Sequence, residues 1–179
     1  TDVILTLKQW DHKAEVNSKG AAAFSIAYYY VVQELAGPRA SEYRNLSVPT
    51  SVEVLTYVKD YLVRHFGKTD VTLGEYQKLV RGDKAIPLPG IPDVIASMES
   101  EPWKNGMVKG RQGESYIELA RFTKDGPEIE SIHSYGASNK KESPHFADQM
   151  EMFVQQKMKK MTLNKKEVYA KAERIYHPL

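Results

Sequence analysis

The spacing of the apolar residues changes along this chain, and this change restricts the possible folds more than any other feature. In several stretches the apolar side chains recur at intervals of three and four, which is the period of an amphipathic helix. Over 116–133 they alternate with polar residues instead, and a turn signal, Asp125-Gly126, interrupts the alternation. The sequence therefore predicts an α+β fold, with amphipathic helices and an antiparallel hairpin that needs a neighbouring element to cover it.

Each predicted helix has a capping residue at its start or a helix-breaking residue at its end. The stretches are 18–36, closed by Gly37-Pro38, then 51–66, 72–80 and 143–158. In the second, Ser51 is the expected cap, Gly67 ends the helix, and the apolar face consists of Val52, Leu55, Val58, Leu62 and Phe66. The proline-rich run 86–92 is expected to cross the surface in extended or turn conformation, and Asp93 could cap a further turn.

Length and charge limit the class of protein. With 179 residues, the chain is expected to form one domain, 1–179. Its formal net charge of +2 is too small to attract nucleic acid or an anionic membrane, so neither is a predicted partner. The most apolar stretch, 21–36, is shorter than the ~20 residues that span a bilayer, so no membrane span is predicted. The absence of cysteine excludes disulfides and thiol chemistry.

No self-contained catalytic or metal-binding motif is present. The histidines are too far apart for a helical ligand pair, and they are His12, His65, His133, His145 and His177. A terminal threonine can act as a nucleophile with its own α-amine as base, so Thr1 before the strand-like Val3-Ile4-Leu5 is a candidate. The cluster Tyr28-Tyr29-Tyr30 indicates a helix packed on several sides or an aromatic ligand box. The basic stretch 157–179 indicates a solvated helix face or a phosphate-binding patch.

Short segments in a fixed order suggest a family. Tyr135-Gly136-Ala137-Ser138 is followed by Ser143-Pro144-His145-Phe146-Ala147-Asp148-Gln149. Upstream lie Leu7-Lys8-Gln9-Trp10-Asp11 with Ser18-Lys19-Gly20-Ala21, then Gly74-Glu75, Leu79-Val80-Arg81-Gly82 and Pro87-Leu88-Pro89-Gly90-Ile91-Pro92-Asp93, and finally Gly113-Glu114-Ser115-Tyr116 before Asp125-Gly126-Pro127. Together they resemble the C-terminal part of the β-subunit of the penicillin acylase family, which includes penicillin, cephalosporin, aculeacin and acyl-homoserine lactone acylases.

The resemblance also has departures. Leu73 stands where the family often has tryptophan before glycine, and Asn139-Lys140-Lys141-Glu142 replaces a loop that commonly contains Asp-Pro. The match runs from about Leu7 to Phe153.

The resemblance implies a layered αββα N-terminal nucleophile hydrolase, of which this chain is a C-terminal fragment. In this family the β-subunit's terminal serine attacks an acyl amide, and its α-amine is the base. That serine, the oxyanion asparagine and the family's calcium ligands all map upstream of Leu7, so no catalytic or metal residue is expected in this chain and Thr1 is not the family nucleophile. His145 and Asp148 are expected to hydrogen-bond the loop and the following helix start, where the helix dipole favours an anion.

The sequence thus predicts the structural C-terminal portion of an acylase that hydrolyses linear amides, with no cofactor of its own. Its expected partner is the rest of that acylase, and self-association through exposed apolar surface is a further expectation. The resemblance implies that the protein is periplasmic or secreted, as members of the family usually are. The substrate stays open among an antibiotic, a quorum signal and a bile-type amide. Two alternatives are a stand-alone protein-interaction module and an amidase with Thr1 as nucleophile.

Overall fold

The computed structural model describes residues 2–36, 46–92, 94 and 96–176. The described chain forms two compact units, the first ending at Glu114 and the second beginning at Ser115. Both combine helices with sheets whose strand pairs are mostly antiparallel, so the predicted α+β class is confirmed. Among the described helices, none is long and apolar enough to cross a membrane.

Helices make up the first part of the first unit. They are α1 (Val3–Lys8), α2 (Lys19–Tyr29) with a π-helix (Tyr30–Ala36) continuing it, α3 (Val48–Phe66) and α4 (Leu73–Tyr76). Small residues on α2 allow its close approach to other elements, since Ala21, Ala22 and Ala23 are almost completely buried. The predicted end of this helix, Gly37-Pro38, lies outside the described residues.

A four-stranded sheet completes the first unit. Its strands are β1 (Gln77–Arg81), β2 (Lys84–Pro87), β3 (Met98–Pro102) and β4 (Val108–Gly113), in the order β2-β1-β4-β3. The β1–β4 pair is parallel and the other two pairs are antiparallel. Pro87 is in the edge strand β2, where a missing backbone donor is tolerated, and the run is extended there as predicted. The run does not cross the surface as predicted, because Leu88 and Ile91 are fully buried. Asp93, the predicted cap, lies outside the described residues.

The core of this unit lies among its helices and one face of its sheet. Its buried members are Val3, Ala21, Ala22, Ala23, Ile26, Val54, Val58, Leu62, Val71, Leu73, Tyr76, Ile91 and Val108. Val58 and Leu62 are fully buried, which stabilises the fold by about 1.5–3 kcal/mol for each side chain.

The second unit is built around a three-stranded antiparallel sheet. Strands β5 (Tyr116–Thr123) and β6 (Gly126–His133) form the predicted hairpin, and β7 (Lys159–Met161) adds to β6. The order β5-β6-β7 leaves β5 at an edge. Two short helices, α5 (Met150–Val154) and α6 (Lys165–Lys171), complete the unit.

Several boundary predictions in the first unit are wrong. Val3-Ile4-Leu5 is helical, because the Asp2 carboxylate accepts the Ile4 amide hydrogen bond and caps α1. Helix α3 begins a turn before Ser51, since Ser47 caps it and Pro49 fits its first turn. Gly67 ends α3 in the left-handed conformation, as predicted.

The predicted face of α3 is only partly right. Val58 and Leu62 are buried as expected, but Val54 is buried in place of Val52, which is 58% exposed. The face is therefore rotated relative to the one that the apolar spacing indicated.

The helix predicted from Thr72 to Val80 is much shorter. The capping box of Thr72 and Glu75 is present, but the chain leaves the helix after Tyr76 and pairs as β1. Tertiary pairing therefore overrides the local helix signal. Strands β3 and β4 were not predicted at all, because their residues show no alternation.

The helix predicted from Ser143 begins only at Met150. Backbone groups that would form its first turn bond elsewhere, since the His145 carbonyl accepts from the Ser138 amide and the Gln149 amide donates to Tyr135. Asp148 therefore does not lie in a first helical turn. Of the basic stretch, β7 and α6 are ordered elements, and α6 has no buried residue, which agrees with a solvated face.

Candidate functional site

The resemblance segments of the first unit meet around the stretch 14–18. The Gly90 amide donates to the Ala14 carbonyl at 2.8 Å, and the Gly74 amide donates to the Val16 carbonyl at 2.8 Å. The Leu73 amide donates to the Ser18 carbonyl at 2.9 Å. Segments far apart in sequence are thus joined by backbone hydrogen bonds within the first unit.

Trp10 fixes the start of α2. Its indole Nε1 donates to the Lys13 carbonyl at 2.8 Å, and its side chain lies directly against Gly20. A Cβ at residue 20 would overlap the Trp10 side chain, so only glycine allows this approach. The Leu-x-x-Trp-Asp and Ser-x-Gly-Ala segments are therefore two sides of one packing contact.

Gln77 is the central buried polar residue of the sheet. Its Nε2 donates to the carbonyls of Leu88 and Gly90 at 3.1 and 2.7 Å, and its Oε1 accepts from the Ser100 hydroxyl at 2.9 Å. The side chain is fully buried and every one of its polar groups is used. Gln77 therefore holds the proline-rich segment on the sheet, a role that sequence reasoning missed because a lone glutamine carries no signal.

The resemblance segments of the second unit also pack together. A Cβ at Gly136 would overlap the His145 carbonyl, so the two segments approach without a side chain between them. The buried Gln149 accepts from the His133 amide through Oε1 at 3.1 Å, which ties the loop to the end of β6. The Tyr-Gly-x-Ser and Ser-Pro-His segments are thus one folded loop.

His145 lies between two carboxylates. Its Nδ1 is 2.8 Å from an Asp148 oxygen, and its Nε2 is 2.8 Å from a Glu173 oxygen. Hydrogen bonds first with Asp148 and then with Glu173 raise the pKa of His145 above its ordinary value. As expected, His145 and Asp148 bond within the loop, and Glu173 is an additional partner from beyond α6.

This arrangement does not form a nucleophile–base pair. Both imidazole nitrogens are engaged by carboxylates, and the Ser143 hydroxyl oxygen accepts from the His145 backbone amide. Within the described residues, no group of His, Asp and Glu could hold a metal ion. Thr1 and His177 lie outside the described residues, so the structure does not locate them.

Two of the cavities in the described part of the first unit are lined by side chains that could bind a ligand. One, of about 620 Å³, is an open polar depression where Lys19 pairs with Asp70 at 3.0 Å, and this ion pair lowers the pKa of Asp70. The other, of about 110 Å³, is lined by tyrosines from α2, the π-helix, α3 and α4. Tyr57 and Tyr61, one turn apart on α3, could have been recognised from the sequence as an aromatic pair on one helix face.

The model of the family described as penicillin amidase matches residues 2–170. The chain belongs to the penicillin amidase family. It is 22% identical to an acyl-homoserine lactone acylase, PvdQ, of Pseudomonas syringae pv. syringae over 92% of this chain and 23% of the relative. It is 21% identical to the PvdQ acylase of Pseudomonas savastanoi pv. phaseolicola over 95% of this chain and 24% of the relative.

A solved structure, the thermostable penicillin G acylase of Alcaligenes faecalis, aligns with 90% of this chain and 29% of that chain, at 13% identity and a TM-score of 0.35. The chain spans about a quarter of the length of the curated relatives that it matches over nearly all its residues. Membership of the penicillin amidase family confirms the family resemblance. The contacts of Trp10, Gln77 and Gln149 show how the recurring segments build the two units.

Proposed function

We propose that this chain is the structural C-terminal portion of an acylase that hydrolyses linear amides between an acyl chain and an amine-bearing head group. One observation carries the proposal: the family model covers 2–170, yet the chain matches only 23–24% of its acyl-homoserine lactone acylase relatives. The expected catalytic serine and oxyanion asparagine belong to the remaining part. The role of this chain is to complete and stabilise that fold.

The proposed partner is the rest of the same acylase. Strand β5 lies at a sheet edge, and its side chains Leu119 and Phe122 are 58% and 84% exposed. An exposed strand edge with large apolar side chains is a surface that proteins usually cover. The same surface would support self-association of the chain when it is produced alone.

Further properties of the whole acylase follow from the family. Calcium, where the acylase uses it, is held outside this chain, which binds no cofactor of its own. The location is the periplasm or the exterior of the cell. The substrate is an acylated amine, and acyl-homoserine lactones are the first substrates to test because the matched relatives are named for them.

The first experiment is intact-mass measurement and N-terminal sequencing of the protein from its native host. The proposal expects these residues within a much longer product with a β-subunit that begins with serine. A native product that begins at or just before Thr1 would overturn it in favour of the interaction module or the Thr1 amidase.

A second experiment compares the native product with this chain alone on an acyl-homoserine lactone and on penicillin G. The proposal expects amide hydrolysis by the native product and none by the chain alone. Hydrolysis by the chain that is lost in Thr1→Ala would overturn the proposal. The chain alone should also bind a hydrophobic dye, and the Phe122→Ser variant should bind less of it. The control is Val48→Ser, which removes a similarly exposed valine from the first unit and should leave dye binding unchanged.

A further inference from the structure

A small cavity of the first unit is walled mainly by aromatic rings. Its volume is about 110 Å³, and the tyrosines that line it are Tyr29, Tyr30, Tyr57, Tyr61 and Tyr76. A water molecule takes about 30 Å³ in the liquid, so the cavity has room for about four non-hydrogen atoms. A compact chemical group of that size could fill the cavity while the rest of its molecule extends into solvent.

The π-helix shapes one side of this cavity. It begins at Tyr30, and it brings Gln33 and Glu34 to the cavity together with that tyrosine. π-Helices are rare and are frequently found at functional sites. The π-helix is thus a second feature, independent of the aromatic rings, that indicates a functional site at this cavity.

Three of the five tyrosine hydroxyls have protein partners. The Tyr29 oxygen accepts from the Ser100 amide at 2.7 Å, and the Tyr61 hydroxyl donates to the Gly106 carbonyl at 2.9 Å. The Tyr30 hydroxyl donates to Glu53 at 2.9 Å. These bonds hold three of the rings in place beside the cavity.

The rings also support one another. Tyr30 and Tyr57 stack with centroids 4.0 Å apart, and Tyr61 meets Tyr76 edge-on at 6.4 Å. Burial raises the pKa of Tyr29, Tyr61 and Tyr76, so these phenols stay neutral. The aromatic part of the wall is therefore electron-rich and uncharged.

The only charged side chain among the described lining residues is the carboxylate of Glu34. Aromatic faces attract cations through the ring quadrupole, and an anion beside them adds to the attraction. A primary ammonium also needs hydrogen-bond acceptors for its three N–H groups, and three of the five tyrosine hydroxyls are already bonded to protein groups. A quaternary ammonium has no N–H group and needs none.

We propose that the tyrosine-lined cavity binds the trimethylammonium group of a small choline-like cation, with Glu34 as its counter-charge. The ring faces contact the methyl groups, and the rest of the ligand leaves through the cavity mouth. The site is independent of amide hydrolysis, so its failure would leave the proposed function untouched.

The test is a calorimetric or NMR titration of the 179-residue chain with choline chloride at constant ionic strength. We expect millimolar affinity from several cation–π contacts, and binding at least about tenfold weaker for the uncharged isostere 3,3-dimethylbutan-1-ol. Ethanolamine, which has the same length and a primary ammonium, should also bind more weakly. Equal binding of either control, or no choline binding at tens of millimolar, would overturn the proposal.

Matched variants distinguish the loss of an aromatic contact with the ligand from a loss of folding. Tyr57 is 38% exposed, so Tyr57→Leu should fold, and it should weaken choline binding about tenfold. Tyr57→Phe keeps the π-system and should change the affinity less than about twofold. Glu34→Gln should weaken choline and leave the uncharged isostere unchanged. Equal affinities of Tyr57→Leu and the parent chain, with folding checked by circular dichroism, would contradict the proposed site.

Discussion

The Gln77 side chain accepts a 2.9 Å hydrogen bond from the Ser100 hydroxyl, which joins β1 to β3 although β4 lies between them in the sheet order. The same side chain donates to Leu88 and Gly90, so one residue connects the sheet with the proline-rich segment. The Gln77 side chain is fully buried, and an unpaired polar group at a buried position is destabilising.

We therefore expect Gln77→Leu to lower the free energy of unfolding by at least about 2 kcal/mol, because it leaves several buried groups without partners. Ser100→Ala removes only one of the bonds and should lower it by about 1 kcal/mol. Urea denaturation followed by circular dichroism measures both. Equal losses for the two variants would show that the Leu88 and Gly90 bonds do not contribute.

Replacing Gly20 tests the contact with Trp10. Alanine is favoured over glycine inside a helix by about 1 kcal/mol, so Gly20→Ala would be stabilising if space were available. The overlap with Trp10 should reverse that sign and lower the free energy of unfolding by about 1–3 kcal/mol.

Lys19→Ala, which changes the neighbouring exposed residue, is the control for this experiment. It breaks only an exposed ion pair with Asp70 and should cost less than about 1 kcal/mol. A Gly20→Ala protein more stable than the parent would contradict the packing of Trp10.

Tyr76 makes the first unit sensitive to alkaline pH. Burial raises the pKa of its hydroxyl above the ordinary value of 10.0, so the unfolded chain loses this proton at a lower pH than the folded protein. Its contribution to stability is complete below pH 10.0 and declines as the pH rises above that value. Tyr76→Phe should reduce this decline in urea denaturation series, and Tyr169→Phe, at an exposed position of α6, should leave it unchanged.

The His145 pair with Asp148 and Glu173 should respond to pH in the neutral range. Because the pKa of His145 is raised above 6.5, its contribution to stability is complete below pH 6.5 and is lost as the pH rises through the raised value. NMR titration of the imidazole should find a larger fall in this pKa for Asp148→Asn than for Glu173→Gln. Glu167→Gln, a charge change on α6, is the control, and an equal fall there would indicate a general charge effect.

The sequence predicted the elements whose signals are local. The β5–β6 hairpin was predicted because strict alternation and an Asp-Gly turn occur within one short stretch. The end of α3 at Gly67 and the capping box at Thr72 were also predicted from neighbouring residues. Strand β1 was not, because its pairing with β2, which follows two residues later, and with the distant β4 overrides the helix signal of Thr72 and Glu75.

The same distinction applies to the candidate sites. The resemblance located the segments around Trp10 in the first unit and those around His145 in the second. It did not predict the contacts that join the segments within each unit, which depend on backbone groups brought together by folding. Glu173 as a partner of His145 lies 28 residues away and has no local signature. The tyrosine-lined cavity likewise combines separate helices, although Tyr29 and Tyr30 of the tyrosine cluster noted in the sequence line it.

The π-helix also predicts how this region tolerates length changes. Its hydrogen bonds run to the fifth residue rather than the fourth, so each turn holds more residues than an α-helical turn. Deleting one residue within Tyr30–Ala36 would allow α2 to continue as a regular helix in which later side chains keep nearly the same direction around the axis, because the wider turns of the π-helix already accommodate one extra residue. Single deletions within Tyr30–Ala36 should therefore lower the free energy of unfolding less than single deletions within Lys19–Tyr29, where every residue is needed to keep the register of the helix.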